Sequence, residues 1–124
     1  MLEIITNKKS GSGFDLLHTF EGWKVAFITY SSQYDQMQVV KRHNKTDECF
    51  VLIKGSATLH TSDDTVPLNF TQIELEKEKL YNVKKGTWHH LKVSLDALIV
   101  VIENSNTSKE NTDVFDILTN SQTK

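Results

Sequence analysis

This sequence of 124 residues holds a single cysteine, a single proline and no surplus of positive charge. A lone Cys49 rules out an intramolecular disulfide framework and any zinc site built from several thiolates, and it suits a reducing compartment. Lys and Arg number 14 against 16 Asp and Glu, for a net charge of -2. That balance offers no basic face to nucleic acid and no cationic cluster to an anionic membrane. Long apolar runs are missing too. The longest, ALIVVI at residues 97–102, falls far short of the ~20 residues a membrane helix needs. The opening MLEIITNKKSGSG lacks the basic-then-apolar layout of a signal peptide. No segment sustains a helical period over the roughly 11 residues typical of a helix, and there is no internal repeat. The expectation is a cytoplasmic protein that engages neither nucleic acid nor membrane.

What is present is β-type text. The length corresponds to one domain, residues 1–124, able to bury roughly two-thirds of its unfolded surface. Residues 1–13 form a polar N-terminal arm with an apolar patch at Leu2, Ile4 and Ile5, suited to an edge strand or to lying on a partner subunit. FDLLHTFE reads as a short strand or turn. WKVAFITYS alternates Trp23, Val25 and Phe27 against Lys24, Ala26 and Ile28. MQVVKRH, ECFVLIK and SATLHT follow as strands, separated by NKTD and by Gly55, with SDDT as a polar turn. Pro67 opens LNFTQIELE; LYNV, TWHHLKVS and ALIVVIEN are further strands. NSNTSKENT is a polar surface loop, and DVFDILT closes the chain as a strand or one helical turn. Short strands with turn signals every 8–12 residues argue for an all-β sandwich or barrel.

Two stretches carry candidate chemistry: KRHNKTDECFVLIKG at residues 41–55 and VKKGTWHHL at residues 83–91. Residues two apart on a strand share a face, so Lys41 and His43 point one way, Glu48, Phe50 and Leu52 share a face, and His89 shares one with Leu91 and Val93. If these faces line one cavity, His43, Glu48 and His89 converge. Two imidazoles and a carboxylate suit a divalent Zn, Fe, Mn or Ni ion. The competing reading is a hydrogen-bonded polar cluster with Glu48 paired to Lys41. His90 points opposite to His89 and is expected to be exposed or at an interface; His60 is expected to face outward. Cys49 points away from Glu48, as a packed thiol. Trp23, Phe27 and Trp88 are expected in the core or at a subunit interface.

Together the two stretches, over residues 35–93, resemble the cupin family, the antiparallel double-stranded β-helix or jelly-roll barrel. His43, Glu48 and Gly55 match the second histidine, the glutamate and the closing glycine of the family's first motif, and Gly86 and His89 match its second motif. Lys41 stands where the family has its first histidine, with Asp35, Glu78, Lys84 and Val93 at other departures. The resemblance implies an RmlC-like barrel, to which the reading of DVFDILT adds the alternative of a short helical turn at the terminus, with His43, Glu48 and His89 as metal ligands and a small molecule bound inside. It also implies a homodimer, since ALIVVIEN is apolar on both faces and needs cover on both. An ammonium within ~4 Å of a dication costs on the order of several kcal/mol at an effective dielectric of about 20. Lys41 is therefore expected to swing out, to sit neutral or to anchor an anionic ligand, unless no metal binds. The function classes implied are a metal-dependent enzyme acting on a hydroxy- or keto-acid, an isomerase or epimerase of sugar nucleotides with His43 or His89 as general base, and a non-enzymatic ligand-binding module.

Overall fold

The computed structural model describes residues 1–7 and 13–123; residues 8–12, the middle of the expected N-terminal arm, lie outside the described residues. Its strands are β1 Phe14–Phe20, β2 Trp23–Ile28, β3 Val39–His43, β4 Glu48–Lys54, β5 Ala57–Ser62, β6 Thr71–Glu74, β7 Leu80–Val83, β8 Trp88–Val93, β9 Leu98–Asn104, β10 Thr112–Asp116 and β11 Ser121–Thr123. They form two sheets, ordered β1-β2-β9-β4-β7 and β11-β10-β3-β8-β5-β6, and every pairing is antiparallel. This is the expected all-β jelly roll. DVFDILT does not form a terminal helical turn: residues 112–116 pair with β3 as a strand, and β11 adds an unforeseen edge strand. The two single turns of 3-10 helix, Ser32–Tyr34 and Lys109–Asn111, are internal.

The alternation of apolar residues fixes which side of each sheet is inward. Ala26 and Ile28 on β2, Phe50 and Leu52 on β4, Leu59 on β5, Leu91 and Val93 on β8, and Ile99 and Val101 on β9 form one core between the sheets. Burying a side chain of that size stabilises by roughly 1.5–3 kcal/mol. Gly55 closes the β4–β5 hairpin at φ +75, where a Cβ would meet the Ala97 Cα at 2.7 Å. No other residue fits that turn.

A second, smaller core lies on the outer side of the six-stranded sheet, built from Val40, Trp88 and Phe115 with Met37, Phe70 and Ile117 against them. Trp88 is fully buried there, edge-on to Phe115 at 6.0 Å, and carries the Arg42 guanidinium 4.3 Å above its ring. His60 and His90 face outward as expected, but both are buried within the chain, which corrects the exposed alternative for His90: the loops after β2 and β5 fold over this side. Trp23, by contrast, is 44% exposed on the outer side of the other sheet.

Candidate metal centre

The fold brings the two motif stretches together at one end of the barrel. His43 is the last residue of β3, Glu48 the first of β4, and His89 the second of β8. The four-residue turn between His43 and Glu48 is held on both sides. Asp47 accepts hydrogen bonds from the Asn82 side chain (3.1 Å) and the Lys85 amide (2.9 Å), and Thr46 accepts one from the Thr107 hydroxyl (2.8 Å). The Gly86 amide donates to the His43 carbonyl at 2.7 Å, and Gly86 adopts φ +85. The glycine of the second motif thus ties the turn before β8 to the histidine of the first.

Both imidazoles converge on one carboxylate oxygen. Glu48 Oε1 lies 3.3 Å from His43 Nε2 and 3.0 Å from His89 Nε2, and one ligand atom from each residue lies within 4.8 Å of the others. The far side of each ring is also committed. His89 Nδ1 lies 3.2 Å from the Thr87 carbonyl, which only accepts, so Nδ1 carries a proton. His43 Nδ1 lies 2.8 Å from Thr112 Oγ1. With Nδ1–H donated outward, a neutral ring presents an Nε2 lone pair to a carboxylate oxygen. Two lone pairs aimed at one anionic oxygen repel unless a cation, proton or metal, sits among them. A ring N–H anchored on an oxygen behind the ligating nitrogen is the usual arrangement of metal-bound histidine. The donor set therefore fits a divalent transition ion.

The electrostatics agree. Burial pushes the Glu48 carboxyl up, but once His43 and His89 are protonated, the hydrogen bonds from their Nε2–H groups and their charge outweigh it and hold it well below the usual carboxylate range, so this oxygen calls for positive charge between the rings. Across the β4–β9 ladder Glu48 pairs directly with Glu103, so both carboxyls point into the same end of the barrel. Burial first, then the Glu48 charge, pushes Glu103 up to about 8, although Lys24 lies 3.8 Å away. Tyr34 is raised as well, by burial and by these two carboxyls.

The structure assembles His43, Glu48 and His89 as the spacing predicts, and Glu48 pairs with the histidines. Lys41 pairs with His89 across the β3–β8 ladder, so it shares the inward face of His43 and His89. Its side chain is nevertheless exposed and makes no ion pair among the described residues. Cys49 faces away from Glu48, its thiol raised by burial and by the Asp47 and Glu48 charges, as a packing cysteine would be. Glu103 was missed, though ALIVVIEN carries a signal for it: an acid in phase with the inward Ile99 and Val101. Thr112, at the end of a polar loop, carries none. Two surface clefts, one around Tyr30, Lys54 and Leu95 and one around Asp63, Asp64 and Phe70, contain none of His43, Glu48 and His89.

No protein-family model and no curated protein matches the sequence. Solved structures do match the fold. An RmlC-like cupin family protein with a double-stranded β-helix from Methanocaldococcus jannaschii superposes with a TM-score of 0.62 at 14% identity, covering 90% of this chain and 97% of that one. A cupin-2 domain-containing protein from Shewanella frigidimarina gives 0.54 at 17% identity over 77% of this chain and 83% of its own. The WlaRB TDP-quinovose 3,4-ketoisomerase from Campylobacter jejuni gives 0.57 at 17% identity over 71% and 66%. The chain has the double-stranded β-helix fold of the RmlC-like cupins. Among the described residues, no helix is long and apolar enough to cross a membrane.

Proposed function

We propose that this chain is a metal-binding cupin in which His43, Glu48 and His89 hold one divalent Zn, Fe, Mn or Ni ion, with a small-molecule ligand approaching from the side of Lys41. The observation that carries the reading is the pair of Nε2 atoms at 3.3 and 3.0 Å from one Glu48 oxygen, each ring already anchored through Nδ1. Three protein ligands leave coordination positions for a chelating hydroxy- or keto-acid, for which a bound ion would act as Lewis acid. Lys41 would anchor the anionic end of such a ligand. Elemental analysis of untagged protein, purified without chelator or nickel resin, tests this: near-stoichiometric metal supports it, and none after metal is added back overturns it.

A second reading has His43 or His89 as general base on a sugar nucleotide, prompted by the fold likeness to the Campylobacter ketoisomerase. Lys41 in place of a histidine, and both Nε2 atoms already engaged with Glu48, favour the metal reading. Turnover of TDP-sugars by metal-free protein would reverse that order. Ligand binding without turnover would make the barrel a binding module.

We also propose a homodimer through the outer side of the five-stranded sheet, where Trp23, Ile53, Leu80 and Ile102 are exposed on a face whose central strand β9 is apolar on both sides. Sedimentation as a monomer at micromolar concentration would overturn it.

A further inference from the structure

We propose that Thr112 is a positioning residue that fixes the tautomer of His43, acting as the middle member of a relay from His43 Nδ1 to the Ser108 carbonyl. The Thr112 hydroxyl has one proton, and it donates that proton to the Ser108 carbonyl at 2.7 Å. A carbonyl oxygen has nothing to donate back. Toward His43, 2.8 Å away, the hydroxyl is left as an acceptor only. A neutral His43 must then carry its proton on Nδ1 and turn the Nε2 lone pair toward Glu48. The direction of the whole relay is set by the backbone carbonyl at its end.

The loop that supplies this carbonyl is built to hold it. Ser108 donates its amide to Asn111 Oδ1 at 3.0 Å, the Asn111 amide returns to the Ser108 carbonyl at 3.3 Å, and Asn111 Nδ2 reaches the Asn106 carbonyl at 2.9 Å. The Asn111 carbonyl accepts the amide of Asn44 at 2.8 Å. The polar loop before β10 thus grips the end of β3 twice, by backbone at Asn44 and through Thr112 at the His43 ring. Thr112 is itself buried, so water does not compete for its hydroxyl. On β10 it is the direct cross-strand partner of His43, and a valine fits the same strand position without the hydroxyl.

The inference rests on the proposed metal site only for its effect on affinity; its effect on the tautomer stands alone. The test uses wild type, Thr112→Val and Thr112→Ser, each checked for folding by thermal melting. The first readout is imidazole nitrogen NMR of metal-free protein with the ring in its neutral form. Wild type and Thr112→Ser should carry the proton on Nδ1, and Thr112→Val should lose that preference. The second readout is zinc affinity by competition with a chromophoric chelator. It should fall about 10- to 100-fold in Thr112→Val and recover in Thr112→Ser. A wild-type ring protonated on Nε2 overturns the proposal, as does a valine variant that keeps the Nδ1 tautomer. So does a zinc affinity that is unchanged in the valine variant, or lost equally in the serine variant, which would indicate packing alone. If wild type binds no zinc, the metal reading fails and the NMR readout decides the role of Thr112 by itself.

Discussion

His89 and His90 are neighbours on one strand, equally buried at 7% exposed, and they have opposite surroundings. His89 points into the barrel and meets a carboxylate that it shares with His43. His90 points out, donates from Nε2 to the Asp35 carbonyl at 3.0 Å, and faces the His60 ring at 6.0 Å. Around His90 lie Lys92 and two other imidazoles; around His60 lie Lys92, His90 and Glu74. Burial chiefly, and Lys92 with it, pushes both outer histidines below their ordinary value. The same residue type at the same depth is thus a ligand candidate on one face and neutral packing on the other. Burial does not separate the two roles; the atom opposite Nε2 does.

The sharpest way to break this comparison is to truncate each pair. His43→Ala with His89→Ala should abolish stoichiometric metal, read by elemental analysis after dialysis against zinc. His60→Ala with His90→Ala should leave metal content unchanged. Equal loss in both double variants would mean that the inner face has no special role. Next in size is Trp88→Ala. It removes the fully buried centre of the outer core, together with its contacts to Phe115 and Arg42. A loss of about 3–5 kcal/mol in urea unfolding is expected, with zinc still bound by the fraction that remains folded.

The inner site was legible in the sequence because it is local. His43 and Glu48 are separated by one turn, Gly55 and Gly86 mark positive-φ turns, and strand alternation places Leu91 and Val93 inward together with His89. The strands were legible for the same reason: each carries its own period-two pattern. What was not legible depends on register between distant strands. Nothing local says that Glu103 stands opposite Glu48, or that Thr112 stands opposite His43 across the β3–β10 ladder. The outer core was missed because a strand's pattern shows which residues alternate but not that a loop will return to cover the second face, so His60 reads only as outward and His90 as exposed or at an interface. Strand β11 was invisible because Ser121–Thr123 carries no apolar residue and is held as an exposed edge through its backbone.

Glu103 on the inner face and the two outer histidines should also respond to pH with opposite signs in metal-free protein. His60 and His90 have folded values below the unfolded one. Their contribution is present above the unfolded histidine value, about 6.5, and is lost as pH falls through the folded values. Glu103 is raised to about 8 from 4.5. Its contribution is full below the unfolded value and is lost as pH rises to the folded one, over the range where the folded chain keeps a proton that the unfolded chain has released. Glu103→Gln should remove that alkaline loss, on the order of 2 kcal/mol between pH 5 and 8, and leave the acid limb in place. Urea unfolding of the two proteins across that range measures it. An unchanged profile would mean that Glu103 ionises freely despite facing Glu48.

The smallest expected effect separates Lys41 from everything around it. Lys41 shares the inward face with His89, yet it is exposed and, among the described residues, makes no ion pair. Lys41→Met keeps the apolar stem and removes only the charge, so folding stability should change by no more than about 0.5 kcal/mol. Binding of oxalate to the zinc-loaded protein, by calorimetry, should weaken about 2- to 5-fold, the worth of one solvent-exposed ion pair. Added salt should shrink that difference because it screens exposed charge. Lys41→His acts in the other direction: it restores the histidine of the family motif beside His89 and should tighten zinc while giving up the anion contact. If oxalate binds equally well to all three proteins, Lys41 is a solvated strand-end lysine, and selection of the ligand falls to the metal and to the carboxyls behind it.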